Sequence, residues 1–228
     1  YVRVDGRPLL LVFGPQFFAD GQMKEICDSV TPAPFLYALP HLVSKANADG
    51  AFGWPPVSGG KEIKPEKWSD YLDQLYLPKA EARRPIATVF PQFHDYYQEG
   101  EGRPSFGSIS SQEGKTMTTT IQRAWESEAE VIQIATWNDF GEGTMIEPTR
   151  EFGYQFLEAI QNQVYALDAA KLKSNRLALS LPIRLYKLQK FHVNNKAISG
   201  DLERVSELLF DEEYEAAAEQ IRRLESLN

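Results

Sequence analysis

Short, nearly unbroken apolar runs recur along the first part of the chain, each closed by glycine, proline or a polar turn. Pro8–Phe13 ends at Gly14-Pro15, and Phe35–Leu39 lies between Pro34 and Pro40. Gly50–Trp54 stops at Pro55-Pro56, Pro85–Phe90 stops at Pro91, and Val131–Trp137 is the last of the series. Runs of this length without polar alternation read as strands buried on both faces. Between them the period lengthens. Trp68, Tyr71, Leu72 and Leu75 repeat at helical spacing behind Pro65, a residue suited to a first helical turn, and predict a helix over 65–77. Ile121, Ala124 and Trp125 mark another over 114–127. Tyr154, Phe156, Leu157, Ile160 and Val164 mark a third over 151–166. Buried strands alternating with helices make a parallel sheet with right-handed crossovers. Such a sheet is either open and doubly wound or closed into a (β/α)8 barrel.

From about residue 168 the pattern becomes purely helical. A helix is expected over 183–191. Another, capped by Ser199 or Asp201, carries Leu202, Val205, Leu208 and Leu209. A last one, capped by Asp211, carries Tyr214, Ala217, Ala218, Ile221 and Leu224. The chain therefore divides into a sheet-forming portion, 1–167, and a helical C-terminal appendage, 168–228, that carries no catalytic constellation. The polar stretch 91–116, with Gly100, Gly102, Pro104 and Gly107, exceeds an ordinary connection and is expected to be functional or mobile.

Composition narrows the function classes. The 228 residues are 43% hydrophobic, an ordinary globular share. The net charge of −8 argues against a nucleic-acid binder, which needs clustered Lys and Arg to neutralise phosphates. Cys27 is the only cysteine, so neither an internal disulfide nor a cysteine metal site can form. No stretch approaches the ~20 apolar residues of a membrane span. Phosphate-cradling and dinucleotide glycine motifs, a Gly-x-Ser-x-Gly elbow and a His-Glu-x-x-His pair are all missing from the sequence, and no cofactor is implied.

The chemistry concentrates in Thr136-Trp137-Asn138-Asp139-Phe140-Gly141-Glu142-Gly143-Thr144-Met145-Ile146-Glu147-Pro148, directly after the last apolar run. The carboxyl ends of parallel strands are where such folds bind ligands. Asp139 and Glu142 stand three residues apart between glycines and beside Trp137. Two carboxylates next to an indole suit acid/base work, because desolvation and mutual repulsion raise the pKa of one of them. The same mixture suits sugars, whose C–H faces stack on rings while their hydroxyls seek acceptors. A plainer reading makes Asp139 a helix cap and Glu142 a solvated loop residue. A hard-cation site from Asp139, Glu142 and Glu147 is a further alternative, although the spacing names no metal.

This segment resembles the last-strand motif of glycoside hydrolase family 99, the endo-α-mannosidases, and of family 71/99-like proteins: Asn, acid, aromatic, any residue, then Glu-Gly-Thr-x-Ile-Glu-Pro. Asn138 through Pro148 match most of it. Asp5-Gly6-Arg7-Pro8 and Ala51-Phe52-Gly53-Trp54 are similar to that group as well, so the likeness extends over about residues 1–165. The resemblance implies that Glu142 is the general acid/base at the leaving oxygen. It implies that Asp139 deprotonates the sugar 2-hydroxyl to give a 1,2-anhydro sugar. Family 99 has Glu where this chain has Asp139, which is shorter by one methylene. The resemblance also implies the C-terminal part of a (β/α)8 barrel and a carbohydrate substrate, an α-mannoside or α-glucan. The setting it implies is bacterial glycan degradation in the periplasm or outside the cell.

Other strand ends supply further candidates. His94, Asp95 and Tyr97 follow the fourth run and could bind sugar hydroxyls or stack. Trp54 ends the third run as a sugar platform. Trp137 and Asn138 shape the subsites beside the two acids. Gln16 and Phe17 after the first run and His41 after the second are additional candidates. Trp68 and Trp125 sit at helical positions and are expected in the core, and Glu147 before Pro148 is expected at a helix start. The expected function is glycoside hydrolysis, and the alternative is a carbohydrate-binding barrel without turnover. A closed barrel takes about 250 residues. Five strand-like runs and an opening at Tyr1 therefore create the expectation that further strands precede this sequence in the intact protein.

Overall fold

Each of the five apolar runs becomes a strand, and three short strands join them, one at the sheet edge and two that pair with each other. In the computed structural model, which describes residues 2–77, 85–127, 129–167 and 176–227, the order begins β1 (Arg3–Val4), β2 (Arg7–Val12), α1 (Gln22–Asp28), β3 (Phe35–Ala38), α2 (Val43–Ala46) and β4 (Gly50–Phe52). It continues with α3 (Pro65–Tyr76), β5 (Pro85–Val89), β6 (Phe93–His94), α4 (Tyr96–Glu101), β7 (Ser108–Ile109), α5 (Lys115–Glu126) and β8 (Ile132–Ile134). Four helices follow: α6 (Gln155–Leu167), α7 (Arg176–Phe191), α8 (Ser199–Phe210) and α9 (Tyr214–Glu225).

The main sheet runs β1-β2-β3-β4-β5-β8, parallel from β2 onward, with β1 antiparallel at its edge. The parallel strands follow one another in chain order without reversal. A doubly wound sheet reverses at a switch point, whereas a barrel winds in one direction. The sheet is a curled part of a (β/α)8 barrel.

Strand parity explains the packing. On β3, Leu36 and Ala38 pack with Cys27 of α1 and with Val43 and Ala46 of α2 on the helical side. Tyr37, with Leu39 just beyond, meets Phe52, Ile86, Leu9, Leu11 and Trp54 on the other face. Both faces are covered, as parallel strands require. Trp54 lies two residues beyond Phe52 and so shares its face.

The described residues form two compact units, Tyr1–Glu147 and Pro148–Asn228. In the second, α7, α8 and α9 share a core of Leu181, Leu185, Leu188, Val205, Leu208, Ile221 and Leu224. The boundary expected at 167/168 borders residues outside the described ones.

In the polar stretch 91–116, β6 and β7 pair as an antiparallel hairpin with α4 between them. Several local expectations are corrected. The helix expected from 151 begins at Gln155, so Glu147 does not start a helix. The helix expected over 183–191 extends back to Arg176, and the last begins at Tyr214 rather than just after Asp211. Trp68 is buried, 2% exposed, but Trp125 is 46% exposed and is not core.

Candidate active site

The segment after β8 is a closed excursion. Its ends are stitched by Thr136 N–H to the Thr144 carbonyl at 3.0 Å and by Ile146 N–H to the Thr136 carbonyl at 3.0 Å. The hydroxyls of Thr136 and Thr144 meet at 2.9 Å. Thr136 Oγ1 also accepts from Asp139 N–H at 3.0 Å. One Asp139 carboxylate oxygen in turn accepts from Glu142 N–H at 2.9 Å. Asp139 thus holds a tight turn rather than a helix, as Asp does wherever its side chain can reach its own backbone two or three residues on.

The chain after β5 docks against this loop. His94 N–H donates to the Glu142 carbonyl at 2.8 Å and Tyr96 N–H to the Gly141 carbonyl at 3.0 Å. Gln92 Nε2 donates to the Gly143 carbonyl at 2.8 Å. The approach leaves no room for side chains. A Cβ on Gly141 would lie 2.2 Å from the Tyr97 ring, and one on Gly143, at φ +62°, 3.1 Å from His94 Cβ.

Glu142, half-buried, receives the indole N–H of Trp54 on Oε2 at 2.8 Å, across 88 positions of sequence. Burial raises the Glu142 carboxyl above its ordinary value; the Trp54 hydrogen bond opposes this, and the Asp139 and Asp95 charges add to it. The result is a carboxyl inclined to hold its proton, held by an indole and adjoining a second carboxylate. Phe13, at the end of β2, packs edge-on against Trp54 with ring centroids 5.0 Å apart. Among the described residues, no group of His, Cys, Asp and Glu is arranged to hold a metal ion.

The remaining candidates fall into distinct places. Trp137 is 53% exposed and Asn138 is exposed, both on the same loop as the two acids. Tyr97 is 40% exposed and lies over Gly141. The His94 ring contacts Glu99 at 2.9 Å and stacks near Tyr96. Asp95 is only 1% exposed and its carboxylate is engaged within the protein: Arg103 grips it with two N–H groups at 3.0 and 3.1 Å, and Phe106 N–H donates at 2.8 Å. No contact of Phe17 or His41, both exposed, with Glu142 is among those described. Phe13, Gln92, Arg103 and the Thr136–Thr144 pair were not singled out from sequence. Phe13 alone carried a signal, as the residue ending a strand on the side where the other candidates lie.

The family model described as Glycosyltransferase WbsX matches residues 61–160. A mutanase of Penicillium rubens is 27% identical over 128 residues, covering 52% of this chain and 27% of the mutanase. The GH99 endo-α-mannosidase of Bacteroides thetaiotaomicron superposes with a TM-score of 0.53 at 17% identity, over 75% of this chain and 61% of that structure. The chain resembles the family 71/99-like glycoside hydrolases. A second structure, described as a glycoside hydrolase-like protein, matches with a TM-score of 0.53 at 17% identity, over 72% of this chain and 55% of that one. At these identities the structural likeness is one of fold. The chain spans about a quarter of the mutanase and about six tenths of the structural relatives.

Proposed function

We propose that this chain carries the acid/base end of a glycoside hydrolase acting on an oligo- or polysaccharide. The observation that carries the reading is the Trp54 indole donating to Glu142 at the carboxyl ends of the strands. It holds in place a carboxyl that burial raises above its ordinary value, which suits protonation of a departing sugar oxygen. Asp139 is the partner carboxylate. In this reading it draws the proton from the sugar 2-hydroxyl, whose oxygen bonds to the anomeric carbon as the glycosidic bond breaks and the departing oxygen takes the Glu142 proton. Water then opens the 1,2-anhydro sugar and returns both acids to their starting states. Trp137 and Tyr97, both exposed beside the loop, stack on sugar rings, while Asn138 and His94 meet hydroxyls. α-Glucan and α-mannoside are the substrate classes to test first, since the relatives include a mutanase and an endo-α-mannosidase. The resemblance to glycan-degrading proteins is what supports the setting proposed, the periplasm or the exterior of the cell.

The matched WbsX description favours one other reading, transfer of a sugar to an acceptor, which uses the same acid/base pair. One experiment separates these. Wild type and Glu142→Gln are incubated with aryl α-glycosides and with α-glucan and α-mannan oligosaccharides. Hydrolysis predicts reducing ends from wild type and a loss of about 10²–10⁴-fold in the variant, the usual contribution of a general acid. Equal rates in the two proteins overturn the assignment of Glu142. Binding without reducing ends identifies a binding barrel, and consumption of an activated sugar donor only with an acceptor identifies a transferase.

A further inference from the structure

The ion pair between buried Asp95 and the partly exposed Arg103 sits where three strand-end loops meet. The loop after β4 is tied to the β6–β7 hairpin by Gly60 N–H to the Phe106 carbonyl at 3.3 Å, by Ile63 N–H to the Ser108 carbonyl at 2.8 Å and by Ser108 N–H to the Lys61 carbonyl at 3.2 Å. The residues just before and within the hairpin hold the loop after β8 through Gln92, His94 and Tyr96, as described above. Asp95 lies between His94 and Tyr96, the two residues whose backbone N–H groups grip Glu142 and Gly141. Its carboxylate accepts from both Arg103 nitrogens, from Phe106 N–H and, at 3.3 Å, from Gln98 N–H. Arg103 is in turn sandwiched near two rings, 4.4 Å from the Phe106 centroid and 5.4 Å from that of Tyr97. Tyr97 itself closes over Gly141.

We propose that Asp95 and Arg103 form a positioning clasp that fixes the backbone of residues 94–96 and, through it, the place of Glu142 against Trp54. A bidentate carboxylate–guanidinium pair has a fixed plane. With Asp95 desolvated, displacement of residues 94–96 relative to Phe106 would leave a buried charge unpaired. The clasp therefore resists movement along the hydrogen bonds that seat Glu142. Misplacement of an acid by about 1 Å costs on the order of 10²-fold in rate, so the clasp acts on kcat rather than on substrate affinity. The inference rests on the reading of Glu142 as the acid.

The test uses the full chain, with Asp95→Asn and Arg103→Lys compared with wild type. Two readouts are taken: turnover of whichever glycoside wild type cleaves, and the NMR cross-peak of the Trp54 indole N–H, assigned by its loss in Trp54→Phe and followed against pH. The charges acting on Glu142 are Asp139 from its own loop and Asp95 and Arg103 from the hairpin; His94, with its ring on Glu99, is one backbone hydrogen bond away. Asp95→Asn removes a charge that raises the Glu142 carboxyl, so the indole titration shifts to lower pH and kcat falls about 10- to 100-fold, with KM within about threefold. Arg103→Lys keeps the charge but loses the fork. It is expected to move the indole resonance and lower kcat with little shift in midpoint. Arg184→Lys, which breaks a bidentate pair with Glu225 in the helical unit, is the control and is expected to leave both readouts unchanged.

The clasp is overturned if Asp95→Asn and Arg103→Lys retain the wild-type indole signal and kcat. If wild type cleaves nothing, the hydrolase reading fails, and the position of the indole resonance in Arg103→Lys still decides the clasp. If Asp95→Asn does not fold, Arg103→Lys carries the decision.

Discussion

At the scale of single residues, the two acids of the loop are set apart by what surrounds them. Asp139 spends one oxygen on the Glu142 N–H and so shapes the turn. Glu142 reaches away from the turn to Trp54 and is partly desolvated. This has a consequence for stability. The folded protein raises the Glu142 pKa, so it prefers the neutral acid. Stability is fully present below the ordinary value of 4.5 and declines as pH rises through the folded-state value. Glu142→Gln imitates the neutral acid at every pH and still offers Trp54 an acceptor. Its Tm is expected to exceed that of wild type at pH 7–8 and to converge with it at about pH 4 and below. A lower Tm for the variant at pH 8 would show that the charged form is the one the fold favours. The pairing of Asp139 and Glu142 was legible because both lie within one short motif. Trp54 was a candidate from its strand end, but its bond to Glu142 was not legible, since no local pattern links residues 88 positions apart.

At the scale of elements, glycine and proline punctuation marked the ends of the first four parallel strands, and the apolar run alone marked the fifth. The ends shifted for tertiary reasons. The run Val131–Trp137 yields a strand only over Ile132–Ile134 because Thr136 turns to close the acidic loop on Thr144. The strand β5 is locked beside α3 by a contact that the pattern did not suggest. The Tyr76 phenol donates to the Thr88 carbonyl at 3.0 Å and accepts from Thr88 N–H at 3.1 Å, and burial pushes its pKa up to about 12. Tyr76→Phe leaves both backbone groups without that partner. Urea unfolding is expected to show a loss of about 1–3 kcal/mol, and an unchanged midpoint would mean that water replaces the phenol.

At the scale of the molecule, the sheet unit and the helical unit each bury their own core. Leu181 is fully buried among Leu185, Val205, Ile221 and Leu224. Leu181→Ala is expected to cost about 2–5 kcal/mol through lost transfer energy and the cavity left behind. Hydrogen exchange is expected to localise the loss to α7–α9, with the Trp54 indole resonance keeping its wild-type pH midpoint. A matching loss of protection in β3–β5 would instead make the two units one cooperative body.

The sequence by itself determined the alternation of buried strands and helices, the helical character of the C-terminal region, and the acidic motif at the end of the last strand. Those features are written in residues close together in the chain, where spacing and backbone preference act. Tertiary structure alone decided that the sheet winds in chain order as part of a barrel, because strand order is a property of packing and not of any segment. It alone decided that the polar stretch after β5 folds into a hairpin over the acidic loop, and that Asp95 is consumed by Arg103. It alone brought Trp54 to Glu142. Burial and hydrogen bonding depend on neighbours that only the folded chain supplies, and burial is what raises the Glu142 carboxyl above its ordinary value.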